Sequence, residues 1–158
     1  MAIADIFLKI EGITGEATDA AHAGEIDIVA WSWGLHSSGS AYDRAPTGAA
    51  SLRSLEVIKR VDRGSPALLQ YCDTNKVVSK ATLTTRKAGG TGGPLDYVVI
   101  DLKKVRIVKV DVSSQSTDLL ESLSLTFEQI DFNYAPQGSL GSAGSGGITF
   151  TAIRPAVC

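Results

Sequence analysis

The sequence is poor in the residues that surface chemistry needs. Among 158 residues there are two histidines, two cysteines and only 6% aromatic residues. Neither histidine belongs to an HExxH pair, and no Cys/His spacing matches a zinc site, so neither a metal nor a cofactor is expected. Cys72 and Cys158 are too few and too far apart for a disulfide framework, and Cys72, within an apolar stretch, reads as a buried free thiol. No apolar run approaches the roughly 20 residues that cross a bilayer, which argues against membrane insertion by a helix. Charge of one sign is missing too: the formal net charge is −2, with Lys and Arg spread along the chain. A nucleic-acid surface needs concentrated positive charge to displace counterions, so none is expected. Lys103, Lys104 and Arg106 form a local basic group and read as a solvated strand face. The opening MAIADIFLKI carries charges at Asp5 and Lys9, no basic leader and no small-residue cleavage site. A cleaved signal peptide is therefore not expected; the chain should be made and folded in the cytoplasm, and leave it by another route.

Catalytic motifs are equally scarce. The glycines from Gly89 to Gly93 lack the Lys-Ser/Thr of a phosphate loop and lead into a strand, where a phosphate cradle needs a helix N-terminus. A hairpin turn fits them better. No Gly-x-Ser-x-Gly elbow occurs, although a triad assembled from distant positions stays open. His22, in a short loop before a strand, reads as a hydrogen-bonding anchor rather than a base.

What the sequence does contain is alternation. Hydrophobic residues make up 44% and charged residues 20% of the chain, ordinary values for one globular domain over 1–158. Ile6, Leu8 and Ile10 share one strand face, with Asp5, Phe7 and Lys9 on the other. From about Glu25 to Leu35, Val29, Trp31, Trp33 and Leu35 fall on one face, which predicts a core-facing pair of tryptophans and places Ser32 on the opposite side. A strand from about Leu52 to Val61 follows, with Leu55 and Val57 against Ser54, Glu56 and Ile58. Ser65-Pro66 reads as an N-cap with proline at the first helical position, opening a helix of about two turns that could plug a barrel.

Strands then resume over Lys76–Lys87, Leu95–Val112, Leu119–Tyr134 and Ile148–Ile153, the last as a closing strand after a glycine- and serine-rich loop. Two of them switch faces. Val98, Ile100 and Leu102 give way to Val105 and Ile107, then to Val108, Val110 and Val112; Leu123, Leu125 and Phe127 give way to Ile130, Phe132 and Tyr134. Such switches mark bulges or strands passing between sheets. The fold class expected is all-β with one short helix, a β-barrel-like pair of antiparallel sheets. Apolar residues on both faces, such as Phe7 opposite Ile6 and Leu8, and Val29 opposite Ile26 and Ile28, point to subunit contacts that cover what one chain leaves open.

Several strings together resemble the Hcp family, the haemolysin-coregulated proteins of type VI secretion. They are the opening Ala4–Ile10, the run His22-Ala-Gly-Glu-Ile-Asp-Ile-Val-Ala-Trp-Ser-Trp-Gly34, Asp62–Leu68 ahead of the helix, Leu83–Gly90, and Glu121–Phe127 continuing to Tyr134. The order is preserved across nearly the whole chain, and the match lapses over 37–51 and 138–147. The resemblance implies a non-enzymatic tube subunit: hexameric rings that stack into a hollow tube, driven out by a contractile sheath, tipped by a spike protein and docked on baseplate components. It also implies export of effector proteins in the lumen, with Ser32 at a lumen-facing position that contacts cargo. Two rival readings rest on the residues alone, a monomeric barrel that binds a small ligand between its sheets and a hydrolase using His22 with a serine.

Overall fold

The computed structural model describes residues 5–37, 50–87, 95–115, 117–135 and 147–157. Every stretch of period-two alternation forms strand. In chain order these are β1 (Asp5–Ile10), β2 (Ile26–Ser32), β3 (Leu35–His36), β4 (Ser51–Arg53), β5 (Leu55–Arg60), β6 (Val77–Lys87), β7 (Leu95–Gln115), β8 (Asp118–Thr126), β9 (Gln129–Tyr134), β10 (Ile148–Ile153) and β11 (Ala156–Val157), with helix α1 (Ser65–Asp73) between β5 and β6.

The main sheet runs β10-β9-β7-β6-β1-β2-β5-β8, and an added β7–β8 pairing bends it back on itself. Strands β7, β6, β1, β2, β5 and β8 thus form a closed barrel, and β9 with β10 continues the sheet outward from it. A small second sheet, β11-β4-β3, takes up the segment after the tryptophans. The expected pair of sheets is therefore unequal: one closes, the other is a three-stranded patch.

The length of β7 makes this possible. Its first half pairs with β9 from Val98 to Lys103, its second half with β8 from Arg106 to Gln115, and β6 lies along its other edge. The buried set passes from Ile100 and Leu102 to Val105 and Ile107, with Lys104 between them at φ 53°. On β6 the opposing residues Ala81 and Val78 switch parity at the same place, so register is kept while both strands turn. A bulge between Ile107 and Lys109 supplies the next switch, and the break at Phe127–Glu128 divides β8 from β9. The face switches in the sequence are these three features.

The barrel interior is filled by side chains. Leu8, Ile26, Leu55, Val57, Ile100, Leu102, Leu123 and Leu125 are all essentially inaccessible. A six-stranded barrel is narrower than the eight-stranded size at which side chains just fill the interior, so no ligand chamber is expected between its walls. The reading of a monomeric small-molecule binder loses its site. Helix α1 crosses one end of the barrel, since it joins β5 to β6 across the ends of β2 and β1, and its Leu68 is buried in the core.

Several expectations change. Val29 is exposed, not core, because a bulge between Ile28 and Ala30 resets the parity of β2, and Leu35, which lies beyond β2 on β3 of the small sheet, is exposed as well. Ile26 and Ile28 therefore face inward before the bulge, and half-buried Trp31 packs against the core after it. Gly64, not Ser65, is the N-cap, with no side-chain cap bond, and proline stands in the first turn. Cys72 is half-buried. Strand β10 does not close the barrel; it forms the outer edge of the main sheet, with Ile148 and Ile153 exposed. Phe7 needs no neighbouring subunit, because its own chain covers it, as described below. The hairpin turn at 89–93, the loops 38–49 and 138–146, and Cys158 lie outside the described residues.

Candidate functional site

The uncovered outer face of β2, β5, β8 and β7 is where Ser32 sits. Cross-strand register places Ser32 beside Glu56, Glu56 beside Ser124, and Ser124 beside Lys109. The next row is Ala30, Ile58, Ser122 and Asp111. Ser32, Ala30, Ile58 and Asp111 are all exposed. Ser32 stands on the side opposite its tryptophan neighbour, as strand alternation requires: Trp31 turns toward the core and donates from Nε1 to Thr85 Oγ1 at 3.0 Å, while Ser32 turns away.

Glu56 organises the centre of this face. Its Oε1 accepts from Ser54 Oγ at 2.9 Å, its Oε2 accepts from Ser124 Oγ, and Lys109 Nζ lies 3.8 Å from Oε2. Lys109 is also 4.0 Å from Asp111. Beside this cluster, Ser32, Trp33, Gly34, His36, Arg53 and Glu56 line a shallow depression of about 430 Å³. Trp33 Nε1 donates to Arg53 O at 2.8 Å, and Arg53 Nη1 donates to His36 Nε2 at 2.9 Å. The face is small-residue and polar, and its titratable groups are already tied to one another.

His22 is an anchor. Its ring is buried and stacks on Phe7 with centroids 4.5 Å apart and an 11° interplanar angle. Nδ1 is 2.9 Å from Glu25 Oε2, and Nε2, 3.5 Å from Asp96, makes no hydrogen bond. A catalytic base would need a nucleophile within hydrogen-bond reach, and among the described residues the ring has none. Arg86 covers the Phe7 ring from 5.1 Å and pairs with Asp5 and Asp19 at 2.9 and 2.8 Å. The segment between β1 and β2 is thus clamped over Phe7, which otherwise would stand on an open strand face.

The Arg86 hydrogen bond, followed by the Ala21 backbone N–H, holds the Asp19 carboxyl below its ordinary range. A carboxylate whose folded pKa is depressed supports the fold above its unfolded value of 3.8, and that support is lost as pH falls through the lower, folded value. Asp19→Asn is therefore expected to flatten the decline of thermal stability as pH falls below the unfolded value of 3.8, read by melting curves of both proteins over that acid range. A decline of equal steepness in the variant would remove Asp19 from the clamp.

Sequence reasoning missed one charged group altogether. Lys59 and Glu121 are fully buried and directly paired across β5 and β8, with Lys59 Nζ in contact with Glu121 Oε1. Asp62 Oδ1 lies 3.2 Å from Lys59 Nζ. Ser65 Oγ donates to Glu121 Oε1 at 2.6 Å, accepts from the Asp62 N–H at 3.0 Å and lies 3.2 Å from Lys59 Nζ. The hydroxyl expected to cap the helix instead ties its first turn to two barrel strands. The signal was parity: Lys59 continues the Leu55–Val57 face and Glu121 precedes Leu123 and Leu125 on theirs, so opposite charges fall on the same inward side.

Together these features define a filled β-barrel subunit that presents one polar, uncovered sheet face and has no assembled catalytic group among the described residues. The chain matches the family described as "Type VI secretion system effector, Hcp" over residues 7–134. It is 35% identical to Protein hcp1 of Pseudomonas aeruginosa over 150 residues, 92% of each chain. Among solved structures, Hcp1 from Salmonella typhimurium superposes with a TM-score of 0.78 at 32% identity, covering 97% of this chain and 95% of the other. A type VI secretion system effector from Yersinia pestis gives 0.77 at 30% identity, covering 94% and 99%. The chain belongs to the Hcp family of the type VI secretion system.

Proposed function

We propose that this chain, as a single domain over 1–158, is the structural subunit of the type VI secretion inner tube. Six copies close into a ring, rings stack into a hollow tube, and contraction of the sheath exports it with the spike at its tip and effectors in its lumen. It catalyses nothing. Its partners are further copies of itself, the spike, sheath and baseplate components, and the effectors; it is made in the cytoplasm and exported from it.

The observation that carries this reading is the exposed face of β2, β5, β8 and β7, on which Ser32, Ala30 and Ile58 are open to solvent although the opposite side of the same strands is solid core. A subunit wall of small and polar side chains suits the inside of a channel through which protein must pass. Exposed apolar residues elsewhere, on the β10 edge (Ile148, Phe150, Ile153) and the β7–β8 hairpin (Val112, Leu119), are surface that neighbouring copies would cover. A ring is a heterologous assembly that closes, so distinct patches of this kind are what it requires.

Ser32→Gln tests the orientation of the face. It adds bulk on the proposed lumen side without touching the core, so rings should form normally while co-purification of effectors falls severalfold. Unchanged effector retention by intact rings would take Ser32 out of the cargo surface.

A further inference from the structure

The geometry points to a carboxylate-binding subsite in the depression beside Ser32, with Arg53 as its cation, that receives an acidic segment of a transported protein. This rests on the reading of the Ser32 face as the side that meets cargo.

Charge compensation singles out Arg53. Glu56 takes hydrogen bonds at both oxygens and has Lys109 close by, and Lys109 in turn sits between Glu56 and Asp111. Lys109 is thus shared by two carboxylates and fully committed, and none of the three side chains offers a free cation to the depression. Arg53 is differently placed. Its guanidinium is held through Nη1 by His36 Nε2 at 2.9 Å, and no carboxylate among the described residues forms an ion pair with it. Because arginine can only donate, Nε2 must offer its lone pair, so His36 is neutral there with its proton on Nδ1. An imidazole acceptor fixes the guanidinium plane without cancelling its charge. By contrast, Arg86, the barrel's buried arginine, is answered by two carboxylates.

A planar cation held at one nitrogen keeps the rest of its fork for a ligand, and a fork of N–H donors matches a carboxylate in two parallel bonds. The surrounding donors suit the same group: Ser32, one of the lining residues, adds a hydroxyl, and Gly34 leaves space on the backbone, with nothing within 4 Å of where a Cβ would stand. The about 430 Å³ of the depression fits one or two side chains, not a folded domain. The whole chain is acidic by formal charge, −2, so it does not attract acidic peptides in general. Any preference for them must come from a local cation. One such contact is weak, and repetition around a ring multiplies it.

The test uses labelled hexaglutamate and hexalysine peptides of equal length, with binding to the assembled protein read by fluorescence anisotropy at low salt. Hexaglutamate should bind in preference to hexalysine. Arg53→Gln should weaken it by about tenfold, and Arg53→Lys by less, since a point charge survives but the fork does not. Ring formation, checked by chromatography, should be the same in both variants. Equal binding of the two peptides, or hexaglutamate binding unchanged by Arg53→Gln, would overturn the subsite. That failure is separable from failure of the tube reading: if Ser32→Gln still lowers effector retention, the face meets cargo without Arg53.

Discussion

Replacing Glu121 with alanine is expected to lower the unfolding free energy by about 3–5 kcal/mol, which in a chain of this size is a fall in Tm of roughly 10 °C or more. The reason is the charge left behind. Lys59 has no access to solvent, and Glu121 is its cross-strand partner, also without access. Asp62, 3.2 Å away, gives partial relief, so the lysine would be only partly answered, and Ser65 would lose the oxygen to which it donates. Lys59→Met combined with Glu121→Leu should behave quite differently. With both charges gone the strands keep an apolar pair of similar volume, and such exchanges are neutral or stabilising by about 1–4 kcal/mol elsewhere. Urea titrations of the single and double variants separate the two effects. A single variant within about 1 kcal/mol of the parent would mean that the buried pair is dispensable.

The second large effect is expected at Gly15, where the obstacle is backbone. A Cβ there would stand 2.5 Å from Glu25 O and 2.8 Å from Ile26 Cα, at the start of β2. Neither atom belongs to a side chain that could swing aside. The Gly15 N–H donates to Gly24 O at 2.7 Å, and the Ala17 N–H to Glu25 O at 2.9 Å, so the segment before β2 is laced to the strand entry at this point. Gly15→Val must push the two apart, with the His22 stack on Phe7 and the Asp19–Arg86 pair on the same segment. About 3 kcal/mol of destabilisation is expected, the upper range for overpacking, and Gly15→Ala should cost less. Amide exchange should accelerate first in residues 13–24. An unchanged denaturation midpoint for Gly15→Val would show that the segment is free to lift.

Much of the architecture was legible because period-two patterns report burial directly. The face switches along Val98–Val112 and Leu123–Tyr134 correspond to the turn at Lys104, the bulge after Ile107 and the break at Phe127–Glu128. Where the reading failed, one extra residue was the cause. The bulge at Val29 moves Val29 outward while Trp31 stays on the inner side, and a bulge adds a residue without changing the composition of either face. Phe7 looked like an interface residue because strand parity cannot show that a loop folds over the outer face. The placement of Ser32 followed from the alternation of its tryptophan neighbours, but its companions did not. Glu56, Ser124 and Lys109 come from separate strands that only register brings beside it, and Arg53 reaches the same depression from β4 of the small sheet.

The central claim is assembly. Size-exclusion chromatography with multi-angle light scattering, at several protein concentrations, measures it without reference to partners. A species of about six times the 16.6 kDa chain mass, appearing in negative stain as a ring with a central hole, is the expected result. A monomer alone, persisting at the highest concentration, would contradict the account.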